Sequence, residues 1–344
     1  MTHLARWLAA ISLLLSPLLF AEPAYVQSVP KPAERIEIHS RPIDSFESRD
    51  PARTRFGALE FRGGLQLSSP HREFGGLSAI RLSPDGTTFI ALSDKAHWVR
   101  GRIDYRGSKP VDMSNVEIAP MIGPDGRTLV ARGWYDTESL ADDDGTLYVS
   151  IERVHQIVKF DYGKFGLLAR AQIVPRPPEF AKLPENRGIE CLSAAPKQGP
   201  LAGSLIAISE RSLDAVGNIR GFLIGGKTPG EFTVKRIGDF DITDCTMLPD
   251  GGFLILERFF SWRQGVAMRL RRLSPSAIVP GALLDGPVLM EVDLGYEIDN
   301  MEGLSAHRAA NGDIVLTLVS DDNFSVIQRT LLLQFTLTDK VTQR

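Results

Sequence analysis

Apolar and polar positions along this chain repeat as a unit. Segments 75–95, 136–153, 188–211, 243–258 and 300–323 each open on small or acidic residues and run briefly apolar. Each then turns, climbs a second apolar run and ends in an acid. Four of the five turns carry Asp-Gly or Asn-Gly: Asp85-Gly86, Asp144-Gly145, Asp250-Gly251 and Asn311-Gly312. Such a dipeptide between apolar runs is a strong short-range signal of a β-hairpin. Strand-like runs follow at 156–161, 169–174, 219–224, 233–237, 267–273 and 288–294, so each unit supplies about four strands. No amphipathic helical period crosses the units. A four-stranded module repeated every 50 to 60 residues predicts an all-β chain folded as a β-propeller.

The last unit shows only three evident strands, and an alternating run at 57–68 is placed to complete it and close the ring. That favours five four-stranded blades; a sixth needs another hairpin hidden in 34–70 and one long connection. The domain reading is a secretory signal peptide at 1–21, a lead-in at 22–56 and the propeller at 57–344. The first segment has Arg6 before a short apolar run, with Ala21 as a small residue for cleavage. No other run is apolar enough to span a bilayer.

Folding each hairpin about its turn brings the opening and closing acids together. Asp244 falls opposite Glu257 and Glu302 opposite Asp321, with Glu138 one residue from Glu152 and Gly75 near Asp94. The strand that opens a blade lies next to the axis. One mouth of the channel is therefore expected to gather Asp94, Glu138, Glu152, Glu190, Glu210, Asp244, Glu257, Glu302, Asp321 and Asp322. Converging carboxylates raise one another's pKa or bind a cation. A site rich in oxygen and poor in sulfur and imidazole suits Ca²⁺ or Mg²⁺; Ca²⁺ is the expected cofactor. Glu138, Glu190 and Glu302 are the expected catalytic carboxylates. Lys95, Arg153, Arg211 and Arg258, which follow closing acids, are the expected grip on an anionic substrate. The competing reading of Glu152, Glu210 and Glu257 is structural pairing with arginines.

Other chemistry finds little support. The chain has 39 basic and 42 acidic residues, a formal charge of −3, which does not suit nucleic-acid binding. There is no G-x-S-x-G, and His71, His97, His155 and His307 show no ligand spacing. Trp98, Trp134 and Trp262 fall near the expected mouth, where blade packing or substrate stacking would use them. Cys191 and Cys245 each directly follow an opening acid. Either they pair or the position demands a small residue.

The motifs Gly75-Gly76-Leu77-Ser78, Asp136-Thr137-Glu138-Ser139-Leu140, Gly188-Ile189-Glu190, the LPDG…LER run at 248–258, and Asn300-Met301-Glu302-Gly303-Leu304 with Ser320-Asp321-Asp322-Asn323 form a set. As a set, over about 75–337, they resemble the phytase-like family of bacterial exported propellers, labelled for esterase-like activity of phytase. The resemblance implies a β-propeller, an extracytoplasmic site and hydrolysis of phosphate or other esters. The first unit departs from the pattern, having Gly75 where the others carry an acid. The leading expectation is an exported, metal-dependent ester hydrolase acting on a small-molecule phosphoester. A non-catalytic binding or scaffold propeller with structural calcium is one alternative, and a lactonase another.

Overall fold

The computed structural model describes residues 33–338. The signal-peptide segment 1–21 lies outside the described residues. Five sheets, antiparallel except for one short parallel pair at the outer edge of the third, form the blades of a propeller. Their innermost strands are Leu77–Leu82, Thr137–Asp143, Ile189–Ala194, Asp241–Met247 and Asn300–Arg308. The second strands are Thr88–Ser93, Thr146–Ile151, Ser204–Leu213, Phe253–Ser261 and Ile314–Asp321. The turns between them take the backbone their residues prefer: Asp144 and Gly145 both have positive φ, at 52° and 87°.

The ring closes as expected. Leu59–Ser68 runs antiparallel to the last strand, Thr330–Leu337, and so completes the fifth sheet with residues from the start of the chain. The blades are not uniformly four-stranded: the sheets hold five, four, five, four and six strands, the last including Arg55–Phe56, which pairs off the main path. Part of the excess comes from the stretch read as a lead-in. Glu34–Arg35 pairs on the outer edge of the first blade, and His39–Ile43 on that of the fifth.

Five apolar cores hold the ring, one at each junction between blades. Leu254, Leu256, Met268 and Leu270 of the fourth blade meet Leu304, Leu316, Leu331 and Phe335 of the fifth. Equivalent clusters fill the other four junctions. This explains why the inner strands are nearly unbroken in burial, on both faces. Each such leucine removed from water contributes roughly 1.5–3 kcal/mol. Cys191 and Cys245 form a disulfide across a Cα–Cα distance of 5.1 Å, joining the inner strands of the third and fourth blades.

Candidate functional site

Every inner strand carries one extra residue opposite its partner, a β-bulge two or three residues from its start. In the first, third, fourth and fifth blades the bulged residues are Ser78, Glu190, Thr243 and Glu302. The second blade places Glu138 and Ser139 together opposite Ser150. Beyond the bulge, the closing position is held by Asp94, Glu152, Glu210, Arg258 and Asp321. Their partners on the inner strand side are Gly76, Asp136, Gly188, Asp241 and Asn300. The mouth is thus lined by stacked rings of equivalent positions, and carboxylates dominate them.

Two groups of oxygens converge. Asp136, Glu138 and Glu152 each present one carboxylate oxygen within 4.8 Å of the others, and so do Glu152, Glu190 and Glu210. Glu152 belongs to both groups. Its Oε1 accepts the Gly188 N–H at 2.7 Å. A Cβ on Gly188 would lie 2.8 Å from Glu152 Cγ, so the absence of a side chain there lets this carboxylate cross the mouth. Glu210 receives Arg187 at 2.6 Å and Arg258 at 3.4 Å. Glu190 is 8% exposed, and its Oε2 is buried without a hydrogen-bond partner. A buried carboxylate oxygen with no donor is costly to keep, unless something positive is meant to meet it.

Charge is correspondingly suppressed. Burial first, and then the neighbouring carboxylates, hold Glu138 and Glu190 well above the usual carboxylate range. Burial pushes Glu302 up to about 8, although Arg258 opposes it. Glu152 rises to about 7 against the pull of the Gly188 N–H, and Asp94 to about 7 through burial and Asp321. Asp321 reaches about 6, chiefly by burial. Arg258 bonds Glu302 at 2.5 Å and also donates to Asn300. Burial works against its charge, but Glu302, Glu190 and Glu210 more than offset this, and its pKa lies above the ordinary value.

Two of the acids expected at the mouth are elsewhere engaged. The register in the fourth blade places Ile242, not Asp244, opposite Glu257. Thr243 takes the bulge position and Arg258 the closing position. A one-residue shift turns a side chain to the other face of a strand. Asp244 therefore points into the channel below the mouth, where Arg81 of the first blade grips it at 2.9 and 3.0 Å. Its oxygens also accept the N–H groups of Cys245 and Leu304, each at 2.7 Å. The Arg81 guanidinium donates further to the carbonyls of Ile80, Leu192, Cys245 and Leu304. It bridges four blades and plugs the axis. Glu257 is fully buried and held twice by Arg271 at 2.7 Å. Neither acid has oxygens left for a cation.

The remaining candidates divide. Asp322 accepts the N–H groups of Gly76 at 2.9 Å and Phe324 at 3.0 Å, together with the Thr330 hydroxyl, and so ties the fifth blade to the first. Asp94 also packs against Gly76, and Asp322 against Gly75, so both positions of the first blade need glycine. Lys95 lies over the Phe324 ring at 3.1 Å and Arg153 over Tyr135 at 4.6 Å. Arg211 is paired with Asp241, its Nε at 2.6 Å from the carboxylate. Trp98 is core, whereas Trp262 is 95% exposed. His307 packs against Gly86 at the hairpin-turn end, away from the mouth. Asp136, Arg187 and Arg81 were not in the expected set. Asp136 stood inside a quoted motif; Arg81 gave no signal, because its partner lies 163 residues away.

A cleft of about 770 Å³ opens beside the mouth, lined by residues of the third, fourth and fifth blades. It shares Glu210 with one of the carboxylate groups, and Arg187, Arg211, Arg258, Asn300 and Arg329 also line it. Among the described residues no helix is long and apolar enough to cross a membrane.

A search of curated proteins returns no match. A solved glutaminyl cyclase from Myxococcus xanthus is 11% identical, with 89% of this chain and 97% of that one covered, at a TM-score of 0.39. A putative oxidoreductase (glucose dehydrogenase) from Thermus thermophilus is 15% identical, with 86% and 100% covered, at 0.33. An aldose sugar dehydrogenase from Streptomyces coelicolor, solved with PQQ bound, is 11% identical, with 76% and 94% covered, at 0.38. No activity is transferred at these levels of likeness. The family model described as "Phytase-like: Esterase-like activity of phytase" matches residues 72–324, most of the chain. With the five-bladed ring and its acidic mouth in place, the chain belongs to the phytase-like family.

Proposed function

We propose that this protein is an exported, cation-dependent ester hydrolase whose reaction takes place at the acidic mouth. The observation that carries the reading is the pair of carboxylate groups sharing Glu152, together with Glu190 of the second group, whose Oε2 is buried and unpartnered. The donors are all oxygens, as a hard cation such as Ca²⁺ requires. Asp136, Glu138, Glu152, Glu190 and Glu210 would hold it. When bound, it would polarise the ester and stabilise the developing oxyanion charge.

The protein's own groups supply the rest. Glu138, once ionised, takes the proton of the attacking water. Glu302, whose pKa of about 8 keeps it protonated near neutrality, donates a proton to the departing alkoxide. Arg258 and Arg187 stand where an anionic substrate group would enter. Arg211 is turned toward Asp241 and acts on such a group at longer range. The disulfide fits an oxidising compartment outside the cytoplasm.

The test is calcium titration of EDTA-treated mature protein, following melting temperature and hydrolysis of p-nitrophenyl phosphate and p-nitrophenyl acetate together. A rise in both stability and turnover supports the hydrolase. A rise in stability alone makes the cation structural and the protein a binding propeller. No response of either overturns the site.

A further inference from the structure

We propose that the cleft beside the mouth seats the alcohol portion of the substrate, and that this portion is a flat aromatic group near a single anionic centre. This rests on reading the mouth as an ester site, and it narrows the substrate class. One side of the cleft carries Trp262, 95% exposed, and Phe260, 55% exposed, with their rings 5.4 Å apart in an edge-to-face pair. Ile327, 86% exposed, and Leu294, 59% exposed, add apolar wall. Side chains this large are normally covered, and grouped on one concave surface they mark a site for an apolar or aromatic ligand.

The charges do not suit a polyanion. The cleft is lined by four arginines and three carboxylates, Glu210, Asp241 and Asp299, and two further carboxylates, Glu302 and Glu297, pair with its arginines from outside the lining. Each arginine is already committed: Arg187 to Glu210, Arg211 to Asp241, Arg258 to Glu302 and Arg329 to Glu297. Such a cleft can steady one phosphate or carboxylate but does not offset the charge of an inositol polyphosphate. Its inner end is continuous with the reacting centre, since Glu210 belongs both to the cleft and to one of the carboxylate groups. A substrate ring held against Trp262 and Phe260 would therefore lie outside the mouth, with its ester directed inward.

The experiment is calorimetric binding of 1-naphthyl phosphate, inorganic phosphate and inositol hexakisphosphate, with and without calcium, to the native protein and to Trp262→Ala/Phe260→Ala. Steady-state kinetics on 1-naphthyl phosphate and 1-naphthyl acetate are run in parallel. The proposal expects the naphthyl ester to bind at least about tenfold tighter than phosphate. It expects that gain to vanish in the double variant with calcium affinity unchanged. Both positions are at least half exposed, so folding is not at stake. Tighter binding of inositol hexakisphosphate, or an unaltered double variant, overturns it. Tight naphthyl binding without turnover of any ester supports the cleft and overturns the hydrolase; turnover with an unchanged KM in the variant does the reverse.

Discussion

Glu190 and Asp244 are each followed by a cysteine of the same disulfide, in adjacent blades, and look like equivalent residues. Their surroundings are opposite. Glu190 sits at a bulge, faces the mouth and has an oxygen without a partner. Asp244 sits one position further along, and its oxygens take two bonds from Arg81 and two from backbone N–H groups. Glu210 and Glu257 differ in the same way, because in the fourth blade the closing position belongs to Arg258. An acid in a repeat motif is therefore a site residue only if the register delivers it to the mouth. The same carboxylate one position away becomes half of a buried ion pair.

The largest test of that contrast removes the cation from the plug. Arg81→Met should leave Asp244 buried and uncompensated and lower unfolding stability by about 3–5 kcal/mol in chemical denaturation. An effect under about 1 kcal/mol would mean that Asp244 is not dependent on Arg81. Next is the disulfide, which spans a sequence separation of 54 residues. Replacing both cysteines with serine should cost roughly 2–4 kcal/mol, read the same way, while leaving calcium affinity in place.

Glu190→Gln is the mirror of the Arg81 variant. It replaces a buried carboxyl group that has no partner, and that burial keeps largely neutral without a cation, by an amide of the same shape, so the melting temperature of EDTA-treated protein should hold or rise. Calcium affinity should fall at least about tenfold, and turnover at limiting calcium by a similar factor, because the carboxylate is proposed to hold the cation. A loss of stability comparable to that of Arg81→Met would place Glu190 with the structural acids instead.

The smallest expected effect is on pH dependence. Glu152 and Glu302 have folded pKa values of about 7 and about 8, above those of an unfolded glutamate. The folded protein binds more protons than the unfolded chain between these limits. Metal-free protein should therefore lose stability as pH rises from about 4.5 to about 8. Calcium should weaken or reverse that slope, because a cation favours the ionised carboxylates. A melting temperature independent of pH across this window, with and without calcium, would remove the electrostatic argument for the mouth.

Much of this was legible in the sequence. Turn dipeptides, alternating runs and a constant spacing are local properties, and they specified hairpins, blades and an acidic mouth before any contact was known. The 57–68 strand was legible as the closing strand because the last module lacked one. The two cysteines were visible as a pair, although only distance could show that they bond. Register was not legible to better than one residue. A bulge adds a residue without leaving a mark in the apolar pattern, so counting outward from each turn placed Asp244 opposite Glu257, where Ile242 stands. Partners far apart in the chain were also invisible: Arg81 and Asp244 meet only because the ring brings the first and fourth blades to one axis. Composition and periodicity determined what this chain would build and which face would be acidic. Tertiary structure alone decided which of those acids stay unpaired, because that depends on single-residue register and on arginines delivered from distant blades.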